Sequence, residues 1–221
     1  MQLEKFREKL IKIVAPYMTS DGSHDIQHLH RVWHNACSII KHDNLDVDLI
    51  TVCASVYLHD IKQYRKDDPN NYKSSTVAAE FARQILSENF EQLSEEQSAI
   101  IKNCIEAHSF SANIKAVCLE AKIVQDADRL DSLGAIGIAR LFYTAGALNK
   151  FLYCPYPHAL DDKEYAIDHF YKKIIKLPSL MLTDSGRMLA QDRVHFVDLY
   201  LKQFIKEADL KLSSLYDTSE L

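Results

Sequence analysis

The apolar run VCASVYL ends in His59-Asp60. An ionised carboxylate there is costly to bury without a counter-charge, and a divalent cation supplies one. His28 stands before the pair, in SHDIQHLHRVW, and Asp128 after it, in DADRLD. Two imidazoles and two carboxylates give mixed nitrogen and oxygen ligation, which suits Mn, Fe, Co, Ni or Zn, with Mg admitted where carboxylate and water dominate. An ion so held polarises a phosphoryl oxygen and lowers the pKa of bound water. Four protein ligands on an octahedral ion leave room for one water and one substrate oxygen.

The same residue types have blander uses. A second His-Asp pair, His24-Asp25, lies four residues before His28-Leu29. His24 and His28 could share a helix face, but Asp25 is better placed as an N-cap than as a ligand. Asp126 and Asp131 flank Asp128, and their bland reading is a solvated acidic cluster or an ion pair with Arg129.

The elements that must position these residues are helical. Leu3, Phe6, Leu10, Ile13 and Val14 recur at helical spacing, as do Ile26, Leu29, Val32, Trp33, Ala36, Ile39 and Ile40 after the capping residues SHD. Asp46 is expected to cap a third helix from Val47 to about Lys62, apolar on nearly all sides and carrying His59-Asp60 in its last turn. RKDDPNNY reads as a polar loop, followed by a helix from Ser75 to Leu86. Another runs from Ser94, in a capping-box pattern, to His108. Helical pattern continues from Ile114 through AVCLEAKIVQDADRL and GAIGIARLFYTAGAL, where small residues allow close packing. After the loop YCPYPHALDD, helices are predicted near Tyr165–Ile175 and Asp184–Glu207.

Composition agrees. With 221 residues, 47% apolar, and only five Gly and five Pro, the chain has ample core material and little turn punctuation. An all-α single domain is expected over 1–221, with a core of about 23–132, C-terminal helices over 133–207 and a flexible tail over 208–221. The net charge is −5 and the 26 Lys and Arg are scattered, so no footprint for nucleic acid is visible. Five cysteines without C-x-x-C pairing argue against a disulfide framework or zinc ribbon. Cys37, Cys53, Cys104 and Cys118 sit in apolar runs and read as buried core thiols. The amphipathic N-terminus lacks an apolar h-region, and no stretch reaches membrane-spanning length, so the cytoplasm is the expected compartment.

Asp25-x-x-His28-x-x-Arg31-Val32, His59-Asp60 and Asp128 together resemble the HD superfamily of metal-dependent phosphohydrolases. The resemblance extends over EAHSFSA, IVQDADRLDSLGAIGIAR and HFYKKIIKLPSLMLTDSGRMLAQDR, about residues 23–195. It is closest to the small stand-alone bacterial nucleotide pyrophosphohydrolases. It implies one mononuclear site in the core of the helical fold, with His28, His59, Asp60 and Asp128 as ligands, Mn being the favoured ion. The implied substrate is a small nucleotide, and the implied reaction is nucleoside triphosphate to monophosphate plus pyrophosphate. The alternatives are a nucleoside monophosphate phosphatase and a non-catalytic nucleotide-sensing module. Gln63-Tyr64 and Ser132 depart from the acidic pair and the Asn of the superfamily's alarmone hydrolases. CPYP resembles the Gly-Tyr-Pro motif of its cyclic-dinucleotide phosphodiesterases only in letters.

Phosphate needs cations. Arg31 lies one turn after His28, and Lys62 one turn after His59, so each can project toward the metal. Arg140, Lys173 and Arg193 lie on segments the resemblance marks. Glu80 and His108 fall among apolar helical neighbours, where an inward polar residue needs a partner. His108 is the preferred general acid and Asp60 the preferred base, with Glu80 in a supporting or proton-transfer role.

Overall fold

The computed structural model describes residues 2–18, 22–64, 68–156 and 158–210. The chain divides into two compact units, Met1–Asp128 and Arg129–Leu221. Among the described residues the regular structure is helical, with nine α-helices and one isolated bridge between Phe151 and Tyr165.

In the first unit, α1 (Leu3–Val14) buries Phe6, Leu10 and Val14 at four-residue spacing and gives way to a 3-10 turn at Pro16. Helix α2 (Ile26–His42) starts at Asp25, whose carboxylate accepts the His28 N–H at 3.0 Å. Its inner face carries His28, Leu29, Val32, Trp33, Asn35, Ala36 and Ile39. Helix α3 (Leu49–Leu58) is buried from Thr51 to Leu58 and packs against α1 and α2. It also packs against α4 (Ser74–Asn89) and α5 (Glu95–His108), which pack on each other.

Two expectations for α3 need correction. Its cap is Asp48 rather than Asp46: the Asp48 carboxylate accepts from Ile50 N at 2.9 Å and from the Thr51 hydroxyl at 2.6 Å. The helix stops at Leu58, so His59 is its C-cap and Asp60 lies beyond it. Ser94 and Gln97 form the expected capping box of α5, and the Gln97 amide also donates to Asp48 at 2.6 Å. Helix α6 runs over Leu119–Asp131, so the helical pattern expected from Ile114 begins five residues later. Of the four cysteines read as core, Cys53 and Cys104 are buried, whereas Cys37 and Cys118 are half-buried.

The second unit holds α7 (Gly134–Ala147), α8 (Asp168–Lys172), a 3-10 segment over Ile174–Leu180 and α9 (Asp184–Glu207). The α9 bounds agree with the sequence. The single helix predicted near Tyr165–Ile175 is instead short: Tyr165 is tied to Phe151, and Pro178 lies in the 3-10 segment that follows. Gly134 begins α7 at φ +65°, and a Cβ on Gly137 would lie 2.2 Å from the Ser132 carbonyl oxygen, so the turn into α7 requires glycine at both. Phe142, Phe170, Tyr200 and Phe204 form an aromatic cluster in this unit. Of the tail expected over 208–221, residues 211–221 lie outside the described residues.

Candidate metal centre

His28, His59, Asp60, His108 and Asp128 converge within the first unit. His28 enters from the first turn of α2 and is fully buried. Its Nε2 lies 3.2 Å from His59 Nε2, 3.6 Å from Asp60 Oδ2 and 3.5 Å from Asp128 Oδ1. His59 Nε2 lies 3.3 Å from Asp60 Oδ2 and 3.7 Å from Asp128 Oδ1. Ligand atoms about 2.1 Å from one ion stand about 3.0 Å apart at right angles and about 3.4 Å apart tetrahedrally. The two imidazoles therefore stand at the spacing of one coordination shell from each other and from each carboxylate. Asp60 and Asp128 keep 12% and 23% of their side chains exposed while both imidazoles are sealed, so solvent meets the cluster on its carboxylate side.

The helix end explains how His59 is aimed. A helix C-terminus leaves carbonyls without intrahelical partners, and His59 Nδ1–H donates to one of them, Val56 O, at 2.7 Å. That fixes the tautomer and turns Nε2 toward the cluster. His108 repeats the device at the end of α5, with Nδ1–H donating to Ile105 O at 2.6 Å. Its Nε2 faces the other oxygen of Asp60, Oδ1, at 3.5 Å.

The electrostatics ask for positive charge. Burial works against a charged His59, but Asp60 and Asp128 outweigh it and raise the imidazole to about 9. Burial likewise opposes ionisation of Asp60 and Asp128, yet the surrounding histidines hold both carboxyls below the usual carboxylate range. A cation answers the same demand. The donors thus suit a divalent metal, with two overlapping groups, His28, His59 and Asp128 and His59, Asp60 and His108, each close enough together to hold an ion.

Two amides missed in the sequence brace this centre. Asn35 donates to Ala127 O at 2.9 Å, next to Asp128, and Gln125 donates to Ala107 O, next to His108. Asn35 lies seven residues after His28, two helical turns along the same face, and a buried amide on that stripe was the available signal.

Other expected site residues are placed elsewhere. Glu80 does not face inward: its side chain is 50% exposed and pairs with Lys102 at 3.4 Å and Arg83 at 3.3 Å. Lys62 is exposed with Nζ 5.3 Å above the Phe81 ring, and because α3 ends at Leu58 it is not one helical turn from His59. Arg31 is half-buried on α2. In the second unit, Arg140 pairs with Asp131 at 3.0 Å and Arg193 donates to Leu130 O at 2.6 Å. Lys173 is half-buried just after α8. Asp126 and Asp131 are buried rather than solvated; Asp131 pairs with Arg140, and Arg129 donates to Leu180 O.

The HD-domain family model matches residues 25–133, which contain all five converging side chains. YpgQ of Bacillus subtilis, described as an uncharacterized protein, is 31% identical over 208 residues, covering 92% of this chain and 94% of YpgQ. The chain belongs to the HD-domain family. The crystal structure of Bacillus subtilis YpgQ in complex with ADP superposes with a TM-score of 0.70 at 29% identity, over 94% of this chain and 97% of that one. An HD-superfamily hydrolase from Bacillus thuringiensis gives 0.71 at 30% identity, over 95% and 100%. The family expectation drawn from His28, His59-Asp60 and Asp128 is therefore met, and with it the hydrolase class.

Proposed function

We propose that this HD-domain protein is a metal-dependent nucleotide pyrophosphohydrolase that converts a nucleoside triphosphate into a monophosphate and pyrophosphate. The observation that carries the reading is the convergence of His28 and His59, 3.2 Å apart, on Asp60 and Asp128, each imidazole lying 3.3 to 3.7 Å from each carboxylate. Nucleotide as the substrate class is supported by the ADP complex of YpgQ. The bond choice rests on the subgroup resemblance.

His28, His59, Asp60 and Asp128 would hold the ion, with Mn taken from the family resemblance among the ions that the mixed donor set admits. When bound, the ion supplies Lewis acidity and a water of lowered pKa. Asp60 uses its two oxygens differently: Oδ2 faces the ligand histidines, and Oδ1 faces His108 Nε2. It can therefore serve the ion with one oxygen and exchange a proton with the other. Because Nδ1–H of His108 is committed to Ile105 O, Nε2 is the atom that gives or takes the proton. In the forward direction it protonates the leaving pyrophosphate oxygen.

Arg31 is the preferred phosphate contact, on the helix that carries His28, with Lys62 on the turn after Asp60 as a second cation. Lys173 is retained as a third on the resemblance. Arg140 and Arg193 are given a structural part, because Asp131 and the Leu130 carbonyl already engage them.

Hydrolysis of a nucleoside triphosphate with Mn in oxygen-18 water tests this. Label in the nucleoside monophosphate is expected for attack at the α phosphorus. Label only in orthophosphate, or activity confined to monophosphates, would move the protein to the phosphatase reading.

A further inference from the structure

Helices α2 and α3 meet through two pairs of polar side chains, and the proposed hydrolysis uses only one of them. His28 Nε2 lies 3.2 Å from His59 Nε2, and two residues away on each element His30 Nδ1 lies 2.9 Å from the Tyr57 hydroxyl. The two pairs share an edge-to-face geometry, with ring centroids 5.2 Å and 5.7 Å apart. Tyr57 is fully buried and His30 half-buried. A buried phenol hydroxyl is costly without a partner, so the bond to His30 is what allows a tyrosine here.

Residues two apart on a helix point about 200° apart. His28 and His30 therefore leave α2 on nearly opposite sides, and Tyr57 and His59, the helical C-cap of α3, do the same. Leu29 and Leu58, fully buried, stand between them in sequence. The histidine pair and the His30–Tyr57 pair thus lie on either side of the line along which α2 and α3 pack. One contact alone leaves a helix free to roll about it, whereas two on opposite sides fix both the roll and the separation. A hydroxyl can donate or accept, so the His30–Tyr57 bond holds in either tautomer of the imidazole.

We propose that Tyr57 is a positioning residue of the metal centre, which through His30 holds α2 against α3 and so sets the spacing of His28 and His59. The inference rests on the reading of these two histidines as metal ligands. Their separation of 3.2 Å lies between the spacing of about 3.0 Å for donors at right angles and about 3.4 Å for tetrahedral ones. Without the pull of the His30–Tyr57 bond the helices are free to part, and the two imidazoles with them. A six-coordinate ion such as Mn, which needs donors at right angles, loses more by that than Zn, which binds tetrahedrally. Tyr57 touches neither ion nor substrate and acts only through the helix it holds.

Tyr57→Phe removes one oxygen and keeps the ring, and the half-buried His30 can take water in its place. The test is titration of the metal-free full chain with Mn and, separately, with Zn, beside thermal melting. In Tyr57→Phe the affinity for Mn is expected to fall about tenfold and that for Zn about threefold or less. A variant that merely folds less well lowers both affinities by one common factor, because the binding-competent fraction enters each alike. His30→Leu breaks the same bond from the other end and should change the ratio of the two affinities in the same way, with the double variant adding nothing further. Equal losses for the two ions, or a Tyr57→Phe chain that binds Mn as the wild type does, overturns the proposal and leaves the metal centre standing. A wild type that binds neither ion overturns the metal reading and this inference together.

Discussion

Of the three His-Asp dipeptides in the first unit, His24-Asp25 and His59-Asp60 meet opposite ends of helices. His24-Asp25 precedes α2, where the free backbone groups are N–H donors. The Asp25 carboxylate is taken up by His28 N at 3.0 Å, and His24 Nδ1 pairs with the Ser23 hydroxyl at 2.7 Å. His59-Asp60 follows α3, where the free groups are carbonyls. There the imidazole is taken up, through Nδ1–H to Val56 O at 2.7 Å, and the carboxylate faces His28, His59 and His108. At these two sites the helix terminus thus decides which half of the dipeptide serves the backbone and which is left for chemistry. The first copy also serves the second, because the cap at Asp25 sets where α2 begins and so places His28 opposite His59.

The largest expected effect separates the two copies outright. His59→Ala and Asp128→Ala should lose the metal and lower turnover by about a thousandfold, the scale of several kcal/mol of transition-state stabilisation. His24→Ala should keep the metal and most activity. Metal content measured on the purified variants checks both, and normal content in His59→Ala would break the comparison. Chelation of the wild type should abolish activity yet leave the helical circular-dichroism signal, because Phe6, Leu29, Val52, Val56, Leu58 and Ile105 are buried independently of any ion.

A smaller effect is expected where the centre is braced rather than ligated. Asn35→Leu leaves the Ala127 carbonyl without its side-chain donor, a loss of about 1–3 kcal/mol for a buried group. Because that carbonyl adjoins Asp128, the affinity for Mn should also fall by about tenfold. Titration with Mn beside thermal melting separates the two outcomes. A lowered melting temperature with unchanged Mn affinity would confine Asn35 to a structural part.

What could be read from sequence followed how local the cause was. The Ser94–Gln97 box and the bounds of α9 depend on neighbours a few residues apart, and both agree with the structure. Asp46 and Asp48 offer the same chemistry two residues apart, and the choice went to Asp48 through Gln97, a partner on α5 that no local pattern reveals. Lys62 was misplaced because apolar spacing does not report that α3 ends at Leu58. Glu80 was misplaced because its alanine-rich surroundings leave the inner face of α4 ambiguous, and Lys102 on α5 draws it outward. Within the site, the donor residues were legible as types in motifs. Asn35 and Gln125 were not, since their partners are backbone carbonyls far along the chain.

The smallest effect compares two aspartates that both cap helices. Asp25 accepts one backbone N–H, whereas Asp48 accepts from Ile50 N, the Thr51 hydroxyl and the Gln97 amide. At pH 7, Asp48→Ala should cost about 2 kcal/mol and Asp25→Ala about 1 kcal/mol, the upper and middle range for a lost cap. Burial alone would raise the Asp48 carboxyl, but the hydrogen bonds from Gln97, Thr51 and Ile50 outweigh it and hold it below the usual carboxylate range. Its folded value is therefore below its unfolded one of about 3.9, and the native state binds the proton less well. The stability that ionised Asp48 contributes is complete above about pH 4 and is lost as the pH falls through the depressed folded value. Urea denaturation of wild type and Asp48→Ala should show a gap that is level from pH 7 to about pH 5 and narrows below about pH 4. A gap that widens on acidification, or an Asp25→Ala loss as large as that of Asp48→Ala, would show that the extra donors on Asp48 do not stabilise its ionised form.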